Sequence, residues 1–160
     1  MFIYSIRSGT VKLFSLILLA LLMLIFILNV GEERVVATVG GVSVSYGNIK
    51  TNEQRVAFIK EQGVNVNETP EIEESFAVPD SFDRIIGGYN EIQKSQGLDM
   101  TKYKGKRVTH YAYKAIDYDY NGTVYVNLYL HKSRIIACDI SSVDGKGFVK
   151  PLVSIASGES

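Results

Sequence analysis

The sequence predicts an α+β domain carried behind one transmembrane helix. Three observations predict it. Leu13–Val30 is an uncharged apolar run of 18 residues; residues 51–97 hold two segments with helical start and stop signals; residues 106–140 hold three stretches rich in Val, Ile, Thr and Tyr, separated by turn signals. Helices followed by a run of strands, without alternation, point to two layers, with two helices packed on one face of an antiparallel sheet that ends in a three-strand meander.

Composition narrows the function classes. The 160 residues support one domain of ordinary size. Seventeen basic residues balance seventeen acidic ones, which argues against a nucleic-acid partner, because phosphate-backbone binding needs surplus Lys and Arg. One Cys and two His can close neither an internal disulfide nor a structural zinc site. No cofactor is expected.

The span comes first. Within Leu13–Val30 only Ser15 and Asn29 are polar, and neither Pro nor Gly interrupts the run. As a helix it is about 27 Å long, enough for a hydrocarbon core of roughly 30 Å. The run exceeds a signal-peptide core of about 7–15 residues and no small-residue cleavage site follows, so an uncleaved anchor into the lipid bilayer is expected. Arg7 and Lys12 precede it, while Glu32 and Glu33 follow it. The positive-inside bias then places a stub, residues 1–12, in the cytoplasm and the remainder outside, as a single-pass protein of the cell membrane.

Residues 31–50 hold four Gly among small and β-branched residues. Two readings are open. Val35–Val39 and Val42–Tyr46 could pair around Gly40-Gly41 as a hairpin. An extended stalk is preferred, with the domain proper at 51–153 and a tail at 154–160.

Thr51 and Gln54 have the spacing of a capping box, and Gly63 marks the end of that first helix. Val64–Val66 reads as a short strand, and Ile72–Val78 as an extended piece closed by Pro79. A second helix is expected to open at Asp80 or Ser81 and stop at Gly97, with Phe82, Ile85, Ile86, Tyr89 and Ile92 on its buried face. Gly87-Gly88 weakens it by about 1 kcal/mol per Gly relative to Ala. Lys106–Ile116, Thr123–His131 and Arg134–Ile140 read as the meander.

Several of these segments resemble a known family. Thr51-Asn-Glu-Gln-Arg-Val-Ala-Phe58, Tyr89-Asn90-Glu91 with Gln93, Gln96-Gly97-Leu98-Asp99 and Tyr103-Lys-Gly-Lys106 carry the likeness. Tyr111-Ala-Tyr113, Asn127-Leu128, Arg134-Ile-Ile136 and Asp139-Ile140 extend it. Together they resemble a Gram-positive bacterial, membrane-anchored family described as a domain of unknown function, number 4830. The resemblance implies a single span with a small outer domain, and no catalytic residues. The chain departs from that pattern at Ala137-Cys138, where the family tends to have Gly-Gly, and at Gly87-Gly88, where it has bulkier residues.

Candidate chemistry is sparse. Asp117, Asp119 and Asn121 with Gly122 match the first half of a calcium loop, but Leu128 stands where the bidentate Glu belongs. The competing reading is a two-residue Asn121-Gly122 hairpin turn. That turn would pair Ala112 with His131 and leave His110 and His131 as exposed strand residues. A Lys132-Ser133 turn would set Cys138 opposite Asn127. Cys138, between Ile136 and Ile140 at strand spacing, reads as core. A basic patch holding Lys102 and Lys104, and strand tyrosines including Tyr125 and Tyr129, form the candidate ligand or partner surface. The reading is a non-enzymatic module binding an unidentified protein or envelope ligand. The alternatives are a regulatory or sensory subunit acting through its span, or an envelope hydrolase with an unrecognised site.

Overall fold

The computed structural model describes residues 17–21, 23, 36–39, 42–145 and 147–153. The chain divides into two compact units, residues 1–33 and 34–160. In the first, residues 17–21 and 23 are helical, and Ile17, Leu18, Leu19, Leu21 and Met23 are each more than half exposed. Among the described residues no helix is long and apolar enough to cross a membrane. The rest of the expected span, the stub 1–12 and the tail 154–160 lie outside the described residues.

The second unit opens with a correction. Instead of a stalk, β1 (Val36–Val39) and β2 (Val42–Ser45) pair antiparallel, from Val36↔Ser45 to Val39↔Val42. Val44 and Tyr46 are buried, and the Tyr46 ring lies 5.9 Å from that of Phe58. Val44, between the exposed Ser43 and Ser45, therefore has a core to serve, which a stalk would not provide.

Helix α1 (Asn52–Glu61) starts as its sequence directs. Thr51 accepts from the Gln54 amide while the Gln54 side chain returns to the Thr51 amide. Past its end, Gly63 takes a φ of +82°, where a side chain would be strained. Its apolar residues Val56, Phe58 and Ile59 enter the main core.

Next come β3 (Asn65–Val66) and β4 (Ile72–Ala77), then α2 (Arg84–Ser95) and a short 3-10 turn, Met100–Tyr103. The meander is β5 (Arg107–Ile116), β6 (Val124–His131) and β7 (Arg134–Ser142), followed by β8 (Val149–Pro151). All pairings are antiparallel, in the order β3-β5-β6-β7-β8, with β4 also on β5. Tyr113, Leu128 and Cys138 face the main core beneath α1. On the opposite face Val78, Val108 and Ile136 form a smaller cluster with Phe82, Tyr103 and Tyr129.

Three expectations about this part are corrected. Helix α2 begins at Arg84, because the Asp83 carboxylate accepts from the Ile85 and Ile86 amides and fixes the cap there. The β5–β6 register pairs Ala112 with Asn127 instead of with His131. The connection, residues 117–123, is longer than two residues, since Tyr118 and Tyr120 fold back onto Phe148. Finally, a bulge between Tyr129 and Leu130 shifts β7 by one residue, so Asp139 and not Cys138 stands opposite Asn127.

The helices do not share one face. Helix α1 covers the main core, whereas α2 lies along the outer edge of β7. Three segments satisfy that edge in turn. Ile135 donates to the Tyr46 carbonyl and Ile49 to the Ser133 carbonyl. Side chains from α2 meet Cys138. Then β8 pairs with residues 139–141.

Candidate functional site

The buried face of α2 carries amides. Ile85, expected inside, is 81% exposed, while Asn90 and Gln93 are buried, as is Gln96 just past the helix end. Gln93 Oε1 accepts from the Cys138 amide at 2.9 Å, and Gln96 Nε2 donates to the Cys138 carbonyl at 2.9 Å. Two side chains thus stand where a neighbouring strand would pair. Gln96 Oε1 also accepts from the Val153 amide at 2.9 Å, and its carbonyl from Tyr46 Oη at 2.7 Å. One residue joins α2, β7, the segment after β2 and the segment after β8. Gln93 Nε2 is a buried polar atom with no partner among the described residues.

A second polar chain crosses the far face of the sheet. Tyr89 donates to Asp139 Oδ2 at 2.6 Å, and Asn127 Nδ2 donates to Asp139 Oδ1 and Ser141 Oγ, both at 2.8 Å. With its amide donors engaged, Asn127 accepts through Oδ1 from His110 Nε2 at 2.9 Å. His110 Nδ1 lies 3.2 Å from Glu74 Oε1. The ring stacks on Tyr129 at 4.5 Å, and Phe76 and Tyr89 meet Tyr129 edge-on.

Burial sets the electrostatics here. It raises the Asp139 carboxyl above its usual range, with the hydrogen bonds from Tyr89, Asn127 and Ser141 pulling back. Burial, then the Asp139 charge, holds the Tyr89 phenol well above its ordinary value. Burial pushes Tyr129 up to about 12. The Cys138 thiol is likewise raised by burial and by Asp139, which suppresses the reactive thiolate.

The named candidates therefore separate. His110 is buried and bonded, contrary to the exposed reading; His131 is half-buried, with Nδ1 at 2.8 Å from the Arg107 carbonyl. Tyr129 is walled in by its aromatic neighbours, and Tyr125 donates to Glu71 at 2.6 Å. Asp117 has a left-handed φ of 57°, and Gly122 leaves room for the Asp144 carboxylate and the Tyr120 ring. Among the described residues no group of three His, Cys, Asp or Glu is placed to hold a metal ion.

Lys102 and Lys104 belong to a larger assembly. The hairpin His131↔Arg134 brings Lys132 and Arg134 beside the start of β5, where His131 bonds to Arg107. Tyr103 joins the two groups: its ring lies 5.6 Å from His131, and Arg134 donates to its hydroxyl at 3.5 Å. Lys102, Lys104, Lys106, Arg107 and Lys132 are exposed and make no ion pair among the described residues, whereas Lys60 and Lys94 pair with Glu68 and Glu91. A cavity of about 100 Å³ opens between Lys102, Tyr103 and Arg134, floored by Ile135 and Ile136.

A family described as a domain of unknown function, DUF4830, matches residues 58–140. The chain belongs to that family. No curated protein and no solved structure matches it. The DUF4830 match runs from Phe58 in α1 to Ile140 in β7, and so contains Tyr89, Gln93, Gln96, His110, Asn127 and Asp139. Sequence reasoning missed these amides because it ranked α2 by apolar spacing alone. The available signal was Asn90, Gln93 and Gln96 at three-residue steps, a second stripe that packs only if the sheet offers polar groups opposite.

Proposed function

We propose that this DUF4830 protein is a single-pass membrane protein whose domain, residues 34–153, is a non-enzymatic binding module held outside the cytoplasm at the cell envelope. The observation that carries this reading is the uncharged run Leu13–Val30, flanked by Arg7 and Lys12 on one side and by Glu32 and Glu33 on the other. Exposure of Ile17, Leu18, Leu19, Leu21 and Met23 supports it, since side chains that face lipid have no protein partner to pack on. The non-enzymatic part is supported by the closed polar chain: Asp139 is 2% exposed, both its oxygens accept hydrogen bonds from neighbours, and it presents no carboxylate to a substrate.

Cysteine labelling in intact cells tests the topology. With a membrane-impermeant maleimide, Glu61→Cys is expected to label and Ser8→Cys to stay unlabelled until the cells are opened. The reverse pattern inverts the topology, and extraction of the chain by alkaline carbonate removes the anchor. Hydrolysis of an ester, peptide or glycan by the detergent-solubilised chain ends the non-enzymatic reading.

A further inference from the structure

We propose that the outer edge of β4 is a strand-addition site for an extended peptide segment carrying Lys or Arg at alternate positions. Strand β4 pairs with β5 from Ile72↔Ala112 to Ala77↔Arg107, and with no other strand among the described residues. One step beyond that ladder, Val78 donates to the Lys106 carbonyl at 2.9 Å. Antiparallel neighbours exchange hydrogen bonds at every second residue, so Ile72, Glu74, Phe76 and Val78 bond to β5. The amides and carbonyls of Glu73, Ser75 and Ala77 therefore point away from the sheet, and nothing among the described residues bonds to them. All six residues of β4 are exposed, including Ile72 at 42% and Phe76 at 39%. The edge of β7, by contrast, is closed by Gln93, Gln96 and β8. An uncovered edge is a template for one more strand.

Charge selects the occupant. Residues 61–83 hold seven Asp or Glu and no Lys or Arg. Of the cations beside this stretch, Lys60 pairs with Glu68, and Arg55 is engaged with Tyr111 and Tyr113. Lys114 lies beside Asn67, while Lys106 and Arg107 stand at the far end, next to Val78 and Ala77. Glu74 meets His110, whereas Glu73 makes no hydrogen bond or ion pair among the described residues. A second copy docking edge to edge would bring two cation-free segments together, and like charges across a strand pair are unfavourable. A cationic segment meets attraction instead. Side chains alternate between faces, so Glu73 and Ser75 share one face and Ile72 and Phe76 the other. The fitting segment sets Lys or Arg opposite Glu73 and apolar residues beside Ile72 and Phe76. Main-chain hydrogen bonds hold such a strand, and the alternate side chains choose it. The proposal rests on the binding-module reading above and names the partner of that module.

The test mixes the full chain, in nonionic detergent, with a short peptide alternating lysine and valine or with one alternating glutamate and valine. Fluorescence anisotropy reads binding, and hydrogen exchange followed by NMR reads single amides. The lysine peptide is expected to bind about tenfold tighter, as several cross-strand charge pairs turn from repulsion to attraction. It should also slow exchange at Glu73, Ser75 and Ala77. Ser75→Pro removes an outward donor without touching the β5 ladder and should abolish binding. Glu73→Lys leaves the backbone unchanged and should erase the preference for lysine over glutamate. Undiminished binding by the Ser75→Pro chain, or binding without protection of those three amides, overturns strand addition. Equal affinity for the two peptides overturns the cationic partner. No binding of either peptide overturns the site and leaves the non-enzymatic reading standing, whereas cleavage of the bound peptide overturns both. Protection that grows with chain concentration in the absence of peptide replaces the cationic segment with a second copy and overturns the proposal.

Discussion

Helices α1 and α2 are of similar length, yet they are held by different physics. Helix α1 docks through apolar contact, with Val56, Phe58 and Ile59 in the core that holds Tyr113 and Leu128, and buries Arg55 beside them, over the Tyr111 ring and donating to Tyr113 Oη at 2.7 Å. Helix α2 offers little apolar surface inward, tolerates Gly87-Gly88 in its middle, and docks through Tyr89, Gln93 and Gln96. Apolar docking is forgiving of direction, whereas hydrogen-bonded docking admits one register only. The difference teaches that the edge of β7, not the sheet face, determines where α2 can sit.

The comparison breaks hardest at Gln96. Gln96→Leu keeps the volume but leaves the Cys138 carbonyl and the Val153 amide buried without partners. At about 2 kcal/mol for each orphan, some 4 kcal/mol of stability should be lost in denaturant unfolding followed by tyrosine fluorescence. Adding Gln93→Leu should cost less than the sum, because both residues serve Cys138. A loss below about 1 kcal/mol would place α2 with α1 as an apolar helix. On the other side, Ile59→Ala should cost about 3 kcal/mol by the same measurement, through lost burial and the cavity left behind.

Alkaline pH should separate the regions next. The phenols of Tyr46, Tyr89 and Tyr129 are all raised from 10.0 in the folded protein, chiefly by burial. Raised values mean that the folded state keeps protons the unfolded chain releases. Their contribution is fully present below pH 10 and declines as pH climbs past it, so the unfolding midpoint should fall between pH 10 and about 12. Tyr89→Phe should flatten that fall even while it lowers stability at neutral pH. An unchanged slope would mean that Tyr89 ionises without regard to the fold.

The smallest effects sit at the helix ends and middles. Thr51→Ala removes the capping box of α1 and should cost about 1 kcal/mol. Gly88→Ala meets open space and should stabilise α2 by about 0.5–1 kcal/mol, read as an upward shift of the thermal midpoint. Destabilisation instead would show that Gly88 is needed for a contact in the assembled protein.

Much of the fold was legible because the signals were local. The capping box at Thr51, the stop at Gly63 and the three long strands are written in residues only a few positions apart. Register was legible only beside the Lys132-Ser133 turn, where His131 pairs with Arg134 and Leu130 with Ile135 as that turn requires. The two-residue turn expected at Asn121-Gly122 failed because Tyr118 and Tyr120 prefer contact with Phe148, a residue more than 25 positions away. The stalk reading of residues 31–50 failed for the same reason, since Tyr46 reaches its partners Phe58, Gln96 and Ile135 only in the folded domain.

By itself, then, the sequence determined the α+β class, the two helices followed by the three long strands, the apolar run with its charged flanks, and the burial of Cys138. Tertiary structure alone decided that one bulged residue sets Asp139 opposite Asn127, that amides close the edge of β7, and that Ile49 and Tyr103 both meet the β6–β7 turn. The physical reason is range. Capping, periodicity and hydropathy act within a few residues, while pairing register, edge closure and charge clustering depend on which distant segments the chain brings side by side.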